Sequence, residues 1–340
     1  MNVSIHHDLG EAAAPAQAAR DAAALAERAE QARLGHADFH YRADTLAAFA
    51  RDEDESQLLI LLHDDAEVVG FLHVFLPRSD NTHAVHVEAT LDPERDPRPL
   101  LDALWPVFRD LCREEGRTAC TWWESSRQDD PTLAAATGTG MVEATPVTAW
   151  LEEQGFALDQ VEVASTLWLP VDLEKVQPHT DYELLTWQGN MPEHLLAGMA
   201  RLRSRIVTDA PTGSREVEEA RWDDARMRRE EELTRQARRT VLWAVALNSA
   251  GEPVGYTKME CPEGQPEIVY QLDTFVRAED RGHGLGRSLK TANLEQLAAL
   301  RPQVRRVHTW NAGENEWMLD INRTLGFAPT SAIGAWQRTL

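Results

Sequence analysis

Two stretches of the chain show the same alternation of apolar runs and polar turns. The first is QLLILLHDDAEVVGFLHVFL, from Gln57, and the second is TVLWAVALNSAGEPVGYTKMEC, from Thr240. In each, an apolar run is followed by a polar turn and by a second apolar run that opens on Val-Gly. Short apolar runs on either side of such a turn predict a β-hairpin. The sequence therefore predicts one hairpin in each half of the chain.

Each predicted hairpin is followed by the same series of elements. HAVHVEATLDPERDPRPLLDALWPVFRDLCREEG, from His83, and EIVYQLDTFVRAEDRGHGLGRSLKTANLEQLAAL, from Glu267, both predict a strand and then a helix. A further strand follows in each half, then a segment that ends in Gly-Phe, and then a strand-like tail. This repetition indicates two diverged copies of one α/β unit. The segment PVDLEKVQPHTDYE is the best linker, so we predict domains over residues 1–172 and 173–340.

Two segments outside the repeat have simpler patterns. Residues 11–34 are rich in alanine with little apolar bulk, which predicts a helix or a loosely docked arm. Residues 205–213, RIVTDAPTG, precede a highly charged segment that predicts a solvent-facing helix. Asp209 in that stretch is a candidate to meet a cationic substrate, and a turn or helix cap is the alternative.

Composition and charge narrow the class of protein. Of the 340 residues, 34 are Lys or Arg and 56 are Asp or Glu, which gives a formal net charge of −22. A surface this acidic repels nucleic acids and anionic membranes, so neither is an expected partner. The three cysteines have no CxxC spacing, and no apolar run approaches the length of a membrane span. We expect a cytoplasmic protein without a metal site, present as a monomer or homodimer.

The glycine-rich stretch RGHGLGRSLK, residues 281–290, lies between a predicted strand and a predicted helix. Glycine loses more conformational entropy on ordering than other residues, so this concentration needs a reason. Backbone N–H groups at a helix N-terminus without Cβ atoms approach a phosphate closely, and the helix dipole favours an anion there. Positions 277, 281, 287 and 290 are basic within an acidic chain. The stretch predicts a pyrophosphate-binding loop, and a simple glycine turn is the alternative.

Two well-known phosphate-binding motifs do not fit this stretch. A Walker A loop requires Lys and then Ser or Thr after its last glycine, and here Arg287 follows Gly286. A dinucleotide-binding fingerprint requires a third glycine where this chain has Leu289. Arg281, Gly284 and Gly286 instead form the pattern (R/Q)xxGxG. That pattern resembles the pyrophosphate-binding loop of the GNAT superfamily, the acyl-coenzyme A (acyl-CoA) dependent N-acyltransferases.

The resemblance covers about residues 240–338, whereas the first half resembles the same superfamily only in its order of strands and helices. It implies a mixed α/β fold of two tandem GNAT-like domains, each with a mostly antiparallel central sheet flanked by helices. It also implies acetyl-CoA or another acyl-CoA as co-substrate in the second domain. The corresponding stretch of the first domain, DPERDPRPLL, has no glycine and three prolines, so we expect no CoA there.

The resemblance implies a set of cofactor-binding residues around the glycine loop. In that family an asparagine at the position of Asn315 helps to hold the pantetheine arm or the adenosine diphosphate. For Asn315 and Asn311 a helix-cap role is the alternative. The implied set is Thr274, Phe275, Val276, Arg281, Gly282, His283, Gly284, Leu285, Gly286, Arg287, Ser288, Asn311 and Asn315.

In the resembled family the strand before the loop splays from its neighbour and leaves a backbone N–H to bind the thioester carbonyl oxygen. Here that N–H belongs at or near Val276, and such a donor contributes about 3 kcal/mol of barrier reduction. Candidate bases are Tyr270, Asp273 and Glu267 on the same strand, with Glu260 on the neighbouring strand less favoured. Strand alternation places Tyr270 and Asp273 on opposite faces unless a bulge intervenes. A cross-strand pair or a buried hydrogen bond is the alternative role for both.

The usual general acid of the resembled family is absent. Many members carry a tyrosine seven residues beyond the helix-start asparagine, and here the count from Asn315 reaches Asn322. An amide donates a hydrogen bond but does not transfer a proton. We therefore predict that Asn322 and water assist a thiolate that leaves tolerably, because the pKa of a thiol is about 8.5.

These features predict direct transfer of an acetyl or other short acyl group from acyl-CoA to an amine of a small molecule, in a ternary complex. The acidic surface suits a cationic acceptor such as an aminoglycoside or a polyamine without selecting among them. Two alternatives stay open. One is a non-catalytic acyl-CoA-binding or regulatory protein, and the other is acylation of a protein N-terminus or lysine.

Overall fold

The protein is described by a computed structural model over residues 1–127, 129–173, 182–209, 213–215, 217–218 and 220–340. Residues 174–181 of the predicted linker and the side chain of Asp209 lie outside the described part, so the expectations for them stay predictions. The first elements are β1 (Asn2–His6), β2 (Gly10–Glu11), β3 (Ala14–Pro15), α1 (Gln17–Leu34), α2 (Ala43–Phe49), β4 (Glu55–Asp64), β5 (Glu67–Pro77) and β6 (Ala84–Leu91). They are followed by α3 (Pro97–Glu114), β7 (Ala119–Ser126), β8 (Pro131–Ala134), β9 (Met141–Glu143), α4 (Pro146–Glu153) and β10 (Ala157–Trp168).

The later elements repeat the order of the earlier ones. They are β11 (Glu183–Gln188), α5 (Glu193–Asp209), α6 (Asp224–Gln236), β12 (Arg239–Leu247), β13 (Pro253–Pro262), β14 (Ile268–Val276), α7 (Leu285–Leu300), β15 (Arg306–Ala312), α8 (Glu316–Leu325) and β16 (Ala328–Thr339). A strand, two helices, a hairpin, a strand, a helix, a strand, a helix and a last strand occur in each half, with only the short β2, β3, β8 and β9 added in the first. The predicted mixed α/β class is confirmed.

The chain forms two compact units, and their division differs from the single boundary predicted at residue 172. The first unit comprises Met1–Val163, Thr212–Glu216 and Ser331–Leu340, and the second comprises Ala164–Pro211 and Val217–Thr330. The division falls within β10 and within β16. A sequence pattern marks where a strand lies but not which strands it pairs with. That the last ten residues belong to the first unit was therefore not predictable.

The sheet of the first unit has the order β1-β4-β5-β6-β7-β16, and β6 and β7 form its parallel pair. Its core contains a group of aromatic rings from α3, β7, α4 and the loop before β10, namely Trp105, Phe108, Trp122, Trp150 and Phe156. On the other side, α1 is a docked helix rather than a loose arm. Ala19, Ala22 and Leu25 of α1 are buried in a cluster that also contains residues of β4 and β5.

The sheet of the second unit has the order β15-β14-β13-β12-β11, and its only parallel pair among the described strands is β14 with β15. All ten residues of β13 are buried. Helices cover both faces of the sheet, which explains why the strands read as continuous apolar runs. Met199 of α5, Met227 of α6 and Trp243 share one apolar cluster, whereas Leu294 of α7 and Leu325 of α8 belong to another.

A pair of tryptophan substitutions tests the core of the first unit. Trp150 is fully buried, and its indole N–H donates to Asp102 Oδ1 at 2.8 Å. Trp150→Ala is expected to lower the free energy of unfolding by about 3–5 kcal/mol, because it leaves a large cavity. Trp317→Ala is the matched control, since that side chain is 87% exposed. Urea denaturation measures both variants, and equal losses would contradict this description of the core.

Candidate active site

The parallel strands β14 and β15 separate part-way along their length. Their paired residues are Ile268 with Arg306, Val269 with Val307 and Tyr270 with His308. Both strands continue beyond these pairs, to Val276 and Ala312, without further pairing to each other. The result is an opening between the two strands in the middle of the second unit.

The backbone of Val276 points its N–H toward this opening. The N–H of Arg277, the next residue, donates to Val254 O on the β13 side at 3.0 Å. Successive N–H groups along a strand point to opposite sides, so the Val276 N–H points away from β13. Arg281 Nε donates to the carbonyl oxygen of Val276 at 3.1 Å. The glycine loop is thereby tied to the free edge of the strand.

The glycine loop leads directly into α7. Gly282 and Gly284 have φ angles of 85° and 71°, a left-handed conformation that side chains with a Cβ rarely adopt. Residues 281–284 are exposed, and a Cβ on Gly282 would meet only open space. Gly286 lies inside the first turn of α7, where a Cβ would come within 3.1 Å of Ile321 Cδ1. The first two glycines therefore set the backbone path, and the third allows α7 to pack closely on α8.

The N-terminus of α7 is bare. Its N-cap is Gly284, without a side-chain hydrogen bond, and its first turn has no acidic residue. By contrast, α6 and α8 begin with Asp223 and Asn315, whose side chains accept from the backbone N–H groups of Arg226 and Met318. The uncapped N–H groups and positive end of the α7 dipole suit an anion.

Side chains around the loop divide into anchors and candidates for ligand contact. The Ser288 hydroxyl donates to Gly284 O at 3.1 Å, and Leu285 is buried in an apolar cluster, so both fix the loop from within. The exposed His283 ring lies 5.8 Å from the ring of Tyr182. The Nε of Arg287 is buried without a hydrogen-bond partner among the described residues. A buried polar atom of this kind is usually explained by a ligand or water.

Ion pairs of Arg277 with Asp280 and with Glu279, the latter at 3.5 Å, reduce the predicted positive window. Arg277 Nε contacts Asp280 Oδ2 at 2.7 Å, and Tyr182 also donates to Asp280. Hydrogen bonding to Asp280 raises the pKa of Arg277, so its charge is engaged locally. The other arginines of the loop are Arg281, whose Nε donates to Val276 O, and Arg287.

A β-bulge in β14 changes which side chains face the same way. Thr257 pairs with Thr274, but Met259 pairs with Gln271, so β14 has one more residue than β13 in this interval. The Gln271 amide donates to Thr257 Oγ1 and to Lys258 O at 2.8 and 3.0 Å, which holds the bulge from inside. Sequence alternation without a bulge would have separated Tyr270 from Asp273.

With the bulge, Tyr270 and Asp273 lie on the same face, toward α5 and α6. The Tyr256 hydroxyl donates to Asp273 Oδ2 at 3.4 Å, and Arg203 Nη2 of α5 lies 3.8 Å from the same oxygen. Tyr270 pairs with Glu260 across the strands, and both contact Arg239. The exception stated for the strand alternation, an intervening bulge, is what the structure has, and it brings Tyr270 and Asp273 to one face.

A buried ionic network backs this face. Arg203 and Lys258 both bind Glu230 of α6, with Lys258 Nζ 3.0 Å from Glu230 Oε1. Burial alone would raise the pKa of Glu230, but the charges of Lys258 and Arg203 hold it at about 2. At Lys258, burial and the charge of Arg203 lower the pKa, but the carboxylates of Glu230, Asp273 and Glu260 outweigh them and raise it. The network therefore stays fully charged, and Asp273 extends it toward solvent with its side chain 35% exposed.

The other candidate bases are less available. Glu260 is 10% exposed and bound to Arg239 at 2.9 Å. The Tyr270 hydroxyl contacts Gln265 Oε1 at 3.5 Å. Glu267 is exposed just before β14. Since a strand rises about 3.3 Å per residue, Glu267 lies roughly 30 Å along the chain direction from Val276. Of these four residues, Asp273 combines accessibility with closeness to the opening.

The remaining predicted residues have defined contacts. Thr274 Oγ1 lies 2.7 Å from Thr257 Oγ1, and the Phe275 ring is buried, so both side chains are held within the packed sheet. Asn315 caps α8 through Met318 N at 3.3 Å, which is the alternative role left open for it. Its predicted ligand contact stays a prediction.

Asn322 and Asn311 form a chain of hydrogen bonds with Lys290. Lys290 Nζ donates to Asn322 Oδ1 at 2.6 Å, and Asn322 Nδ2 donates to Asn311 Oδ1 at 2.6 Å. Burial lowers the pKa of Lys290 to about 7. Sequence reasoning treated Lys290 only as part of a basic stretch and missed this contact. The scarcity of lysine was a usable signal, because only three of the 34 Lys and Arg residues are lysines and Lys290 is one of them.

The residues at the opening and the loop fit an acyl-CoA. The bare α7 N-terminus and the unpartnered Arg287 Nε suit its pyrophosphate, and the gap between β14 and β15 exposes backbone N–H groups for its pantetheine arm. Among the described residues, no group of three His, Cys, Asp or Glu side chains could hold a metal ion. No described helix is long and apolar enough to cross a membrane.

Comparison with solved structures finds the same arrangement of elements. A tandem GNAT protein from the clavulanic acid biosynthesis pathway, solved without acetyl-CoA, has a TM-score of 0.78 and 23% identity, over 99% of this chain and 98% of that one. The chain has a tandem GNAT fold. The chain is also similar to a GCN5-related N-acetyltransferase from Sphaerobacter thermophilus, with a TM-score of 0.63 and 14% identity over 99% and 95% of the two chains. No protein-family model and no curated protein matches the sequence.

The loop is tested with Gly284→Glu. A carboxylate and a Cβ at this left-handed position obstruct the bare N–H groups and repel an anion, so stabilisation by acetyl-CoA is expected to disappear. Thermal shift with acetyl-CoA measures the effect. Gly251→Glu is the matched control, because Gly251 has a φ of 76° with nothing within 4 Å of its Cβ position. Retained stabilisation in Gly284→Glu would remove the anion site from this loop.

The buried ammonium of Lys290 makes stability depend on pH. Its folded-state pKa of about 7 lies below the ordinary lysine value of 10.5, so between these values the unfolded chain binds more protons than the folded one. Lys290 thus makes stability rise from pH 7 to pH 10, and the contribution is lost as pH falls through 7. Lys290→Met is expected to remove this rise, measured as the difference between wild type and variant in denaturant titrations. Parallel pH curves would contradict a buried, desolvated amine.

Proposed function

We propose that the protein is an N-acyltransferase that moves an acetyl or other short acyl group from acyl-CoA to an amine of a small-molecule acceptor. The observation that carries this proposal is the end of pairing between β14 and β15 beside the bare α7 N-terminus. A thioester held in that opening is reachable from the other face of the sheet. There the carboxylate of Asp273 faces α5.

The Val276 N–H supplies the electrostatic part of the chemistry. When bound, acyl-CoA brings an activated acyl group as a thioester. The carbonyl oxygen gains negative charge as the amine attacks, and a fixed N–H donor stabilises that charge without reorganisation. The Arg281 contact to the carbonyl oxygen of Val276 holds this peptide in place.

Asp273 supplies the proton acceptor. Most alkylamines are protonated at pH 7, so the acceptor must lose a proton before or during attack. Asp273 binds the ammonium and takes that proton directly or through water, while Arg203 and Tyr256 hold its carboxylate in place. The nitrogen then forms the new C–N bond, the C–S bond breaks, and the second proton that the nitrogen loses passes through water to the departing thiolate.

Direct transfer to the acceptor is favoured over a cysteinyl intermediate. All three cysteines are buried, and burial raises the pKa of Cys261, the one in the second unit, to about 11. A cysteine nucleophile acts as the thiolate, which this environment disfavours. Amine and acyl-CoA are therefore expected to occupy the site together.

A cationic small amine is the favoured acceptor class. The carboxylates of Asp273 and Glu230 have 35% and 26% of their side chains exposed, whereas Arg203 and Lys258 behind them have 7% each. Of these four groups the two more exposed ones are negative, as is the net charge of −22. Both favour a positively charged amine.

The first unit is proposed not to bind CoA. Its α3 occupies the place that α7 has in the second unit, but the Asp96 side chain caps α3 and Pro97 is its first residue. A capping carboxylate and a proline without an N–H leave no anion site there.

Asp273→Asn tests the base. The amide keeps the shape but accepts no proton, so kcat/KM for the amine is expected to fall by about 100-fold or more. Release of free CoA thiol with a panel of small amines measures turnover, and calorimetry is expected to show unchanged acetyl-CoA binding. Glu263→Gln, a surface carboxylate paired with Arg238, is the control.

Three outcomes separate the proposals. Activity of Asp273→Asn within twofold of wild type would exclude Asp273 as the base. Acetyl-CoA binding without turnover on any amine would favour a non-catalytic acyl-CoA-binding protein. Turnover with peptides but not with small amines would favour a protein acceptor.

A further inference from the structure

Lys290 is a buried cation without a carboxylate partner. It is 1% exposed, and its contacts are the Asn322 amide oxygen at 2.6 Å and the Phe327 ring, whose centroid is 5.8 Å from Nζ. Lys258, the other lysine among the described residues, is equally enclosed but paired with Glu230. An unpaired buried ammonium is costly, so packing alone does not account for Lys290.

A lysine ammonium only donates hydrogen bonds, and this fixes the direction of everything connected to it. Asn322 must turn its oxygen to Lys290, and its Nδ2 therefore donates to Asn311. Asn311 must then accept through Oδ1, which leaves its own Nδ2 as a donor. Without Lys290, both side-chain amides could rotate by half a turn, and the hydrogen bond between Asn322 and Asn311 could be donated from either residue.

Asn311 lies where a donor matters. It is near the end of β15, three residues beyond His308, the last residue of β15 paired with β14. It is half-buried, so part of it is accessible to a ligand. Alternation along β15 places Asn311 on the face of Val307, which packs with Leu294 of α7. This is the face that carries the glycine loop.

We propose that Lys290 is a positioning residue that makes Asn311 present an N–H donor to the opening between β14 and β15, for an acceptor atom on the thioester arm of acyl-CoA. The inference rests on the proposed function for the identity of that ligand. Lys290 itself touches no ligand. It acts through Asn322, and its contribution is to fix the direction of the hydrogen bonds that run from Lys290 to Asn311.

The low pKa of Lys290 is consistent with this arrangement. Burial is its cause, and below a pH of about 7 the amine is an ammonium, which only donates hydrogen bonds. A carboxylate beside Lys290 would have kept it charged at less cost, but would also have competed with Asn322 for its hydrogens. The observed surroundings leave Asn322 as its hydrogen-bond acceptor.

A double-mutant cycle on acetyl-CoA binding tests the inference. Lys290→Met and Asn311→Leu are each expected to raise the Kd, measured by calorimetry, by about tenfold, the range for one hydrogen bond. The double variant is expected to be no weaker than either single variant, because both changes remove the same donor. Lys290→Arg, which also only donates, is expected to recover most of the affinity.

Stability separates positioning from a structural role. Lys290→Met is expected to be at least as stable as wild type at pH 6, since it removes a buried charge. Thr291→Val on the same helix is the control, because the Thr291 hydroxyl is buried without a hydrogen-bond partner among the described residues. It is expected to leave both Kd and stability unchanged.

The outcomes distinguish this inference from the proposed function. Unchanged Kd in Lys290→Met, or fully additive effects in the cycle, would overturn the role of Lys290 while leaving acyl transfer intact. If Lys290→Met does not fold, Asn322→Asp serves, because it keeps an acceptor for Lys290 but cannot donate to Asn311. Unchanged Kd in that variant would equally overturn the inference. Binding is measured without turnover, so an inactive protein still gives a result.

Discussion

The early end of pairing between β14 and β15 is the constraint on which the second unit depends. β14 stays paired with β13 to its last residue but leaves β15 after Tyr270. A sheet that opens in its middle leaves backbone N–H groups without partners, which is costly in a packed interior unless a ligand uses them. The loop that follows is attached to the same edge through Arg281. Opening and loop therefore form one structural feature.

The bulge in β14 places a carboxylate near the opening, on the face of the sheet toward α5 and α6. One additional residue between Gln271 and Thr274 brings Asp273 onto the side of α5 and α6. Bulges re-aim side chains in this way at many sites. The Gln271 amide fills the irregularity with three hydrogen bonds, so the bulge is held by the chain itself. The face of the sheet toward α5 and α6 is thus shaped by backbone geometry and then charged by the network around Glu230.

The two buried lysines show how surroundings decide what a charge does. Lys258 has Glu230 beside it and stays charged as part of a rigid network. Lys290 has one amide oxygen, and burial lowers its pKa to about 7. Neither arrangement is an efficient source of stability, since desolvation offsets much of the gain. Their contribution is to the orientation of neighbouring groups. In the first unit the equivalent helix, α3, has no bare N-terminus, because Asp96 caps it.

Local pattern determined a large part of this structure. The hairpins, the order of strands and helices, the repeat and the loop at Gly282–Gly286 follow from apolar periodicity and glycine chemistry, which act over a few neighbouring residues. Only the tertiary structure decided the bulge beside Asp273, the partners of Glu230, the unit to which Ser331–Leu340 belongs, and the chain from Lys290 to Asn311. These depend on contacts between residues far apart in the sequence, and no local spacing encodes which distant side chain fills a buried position.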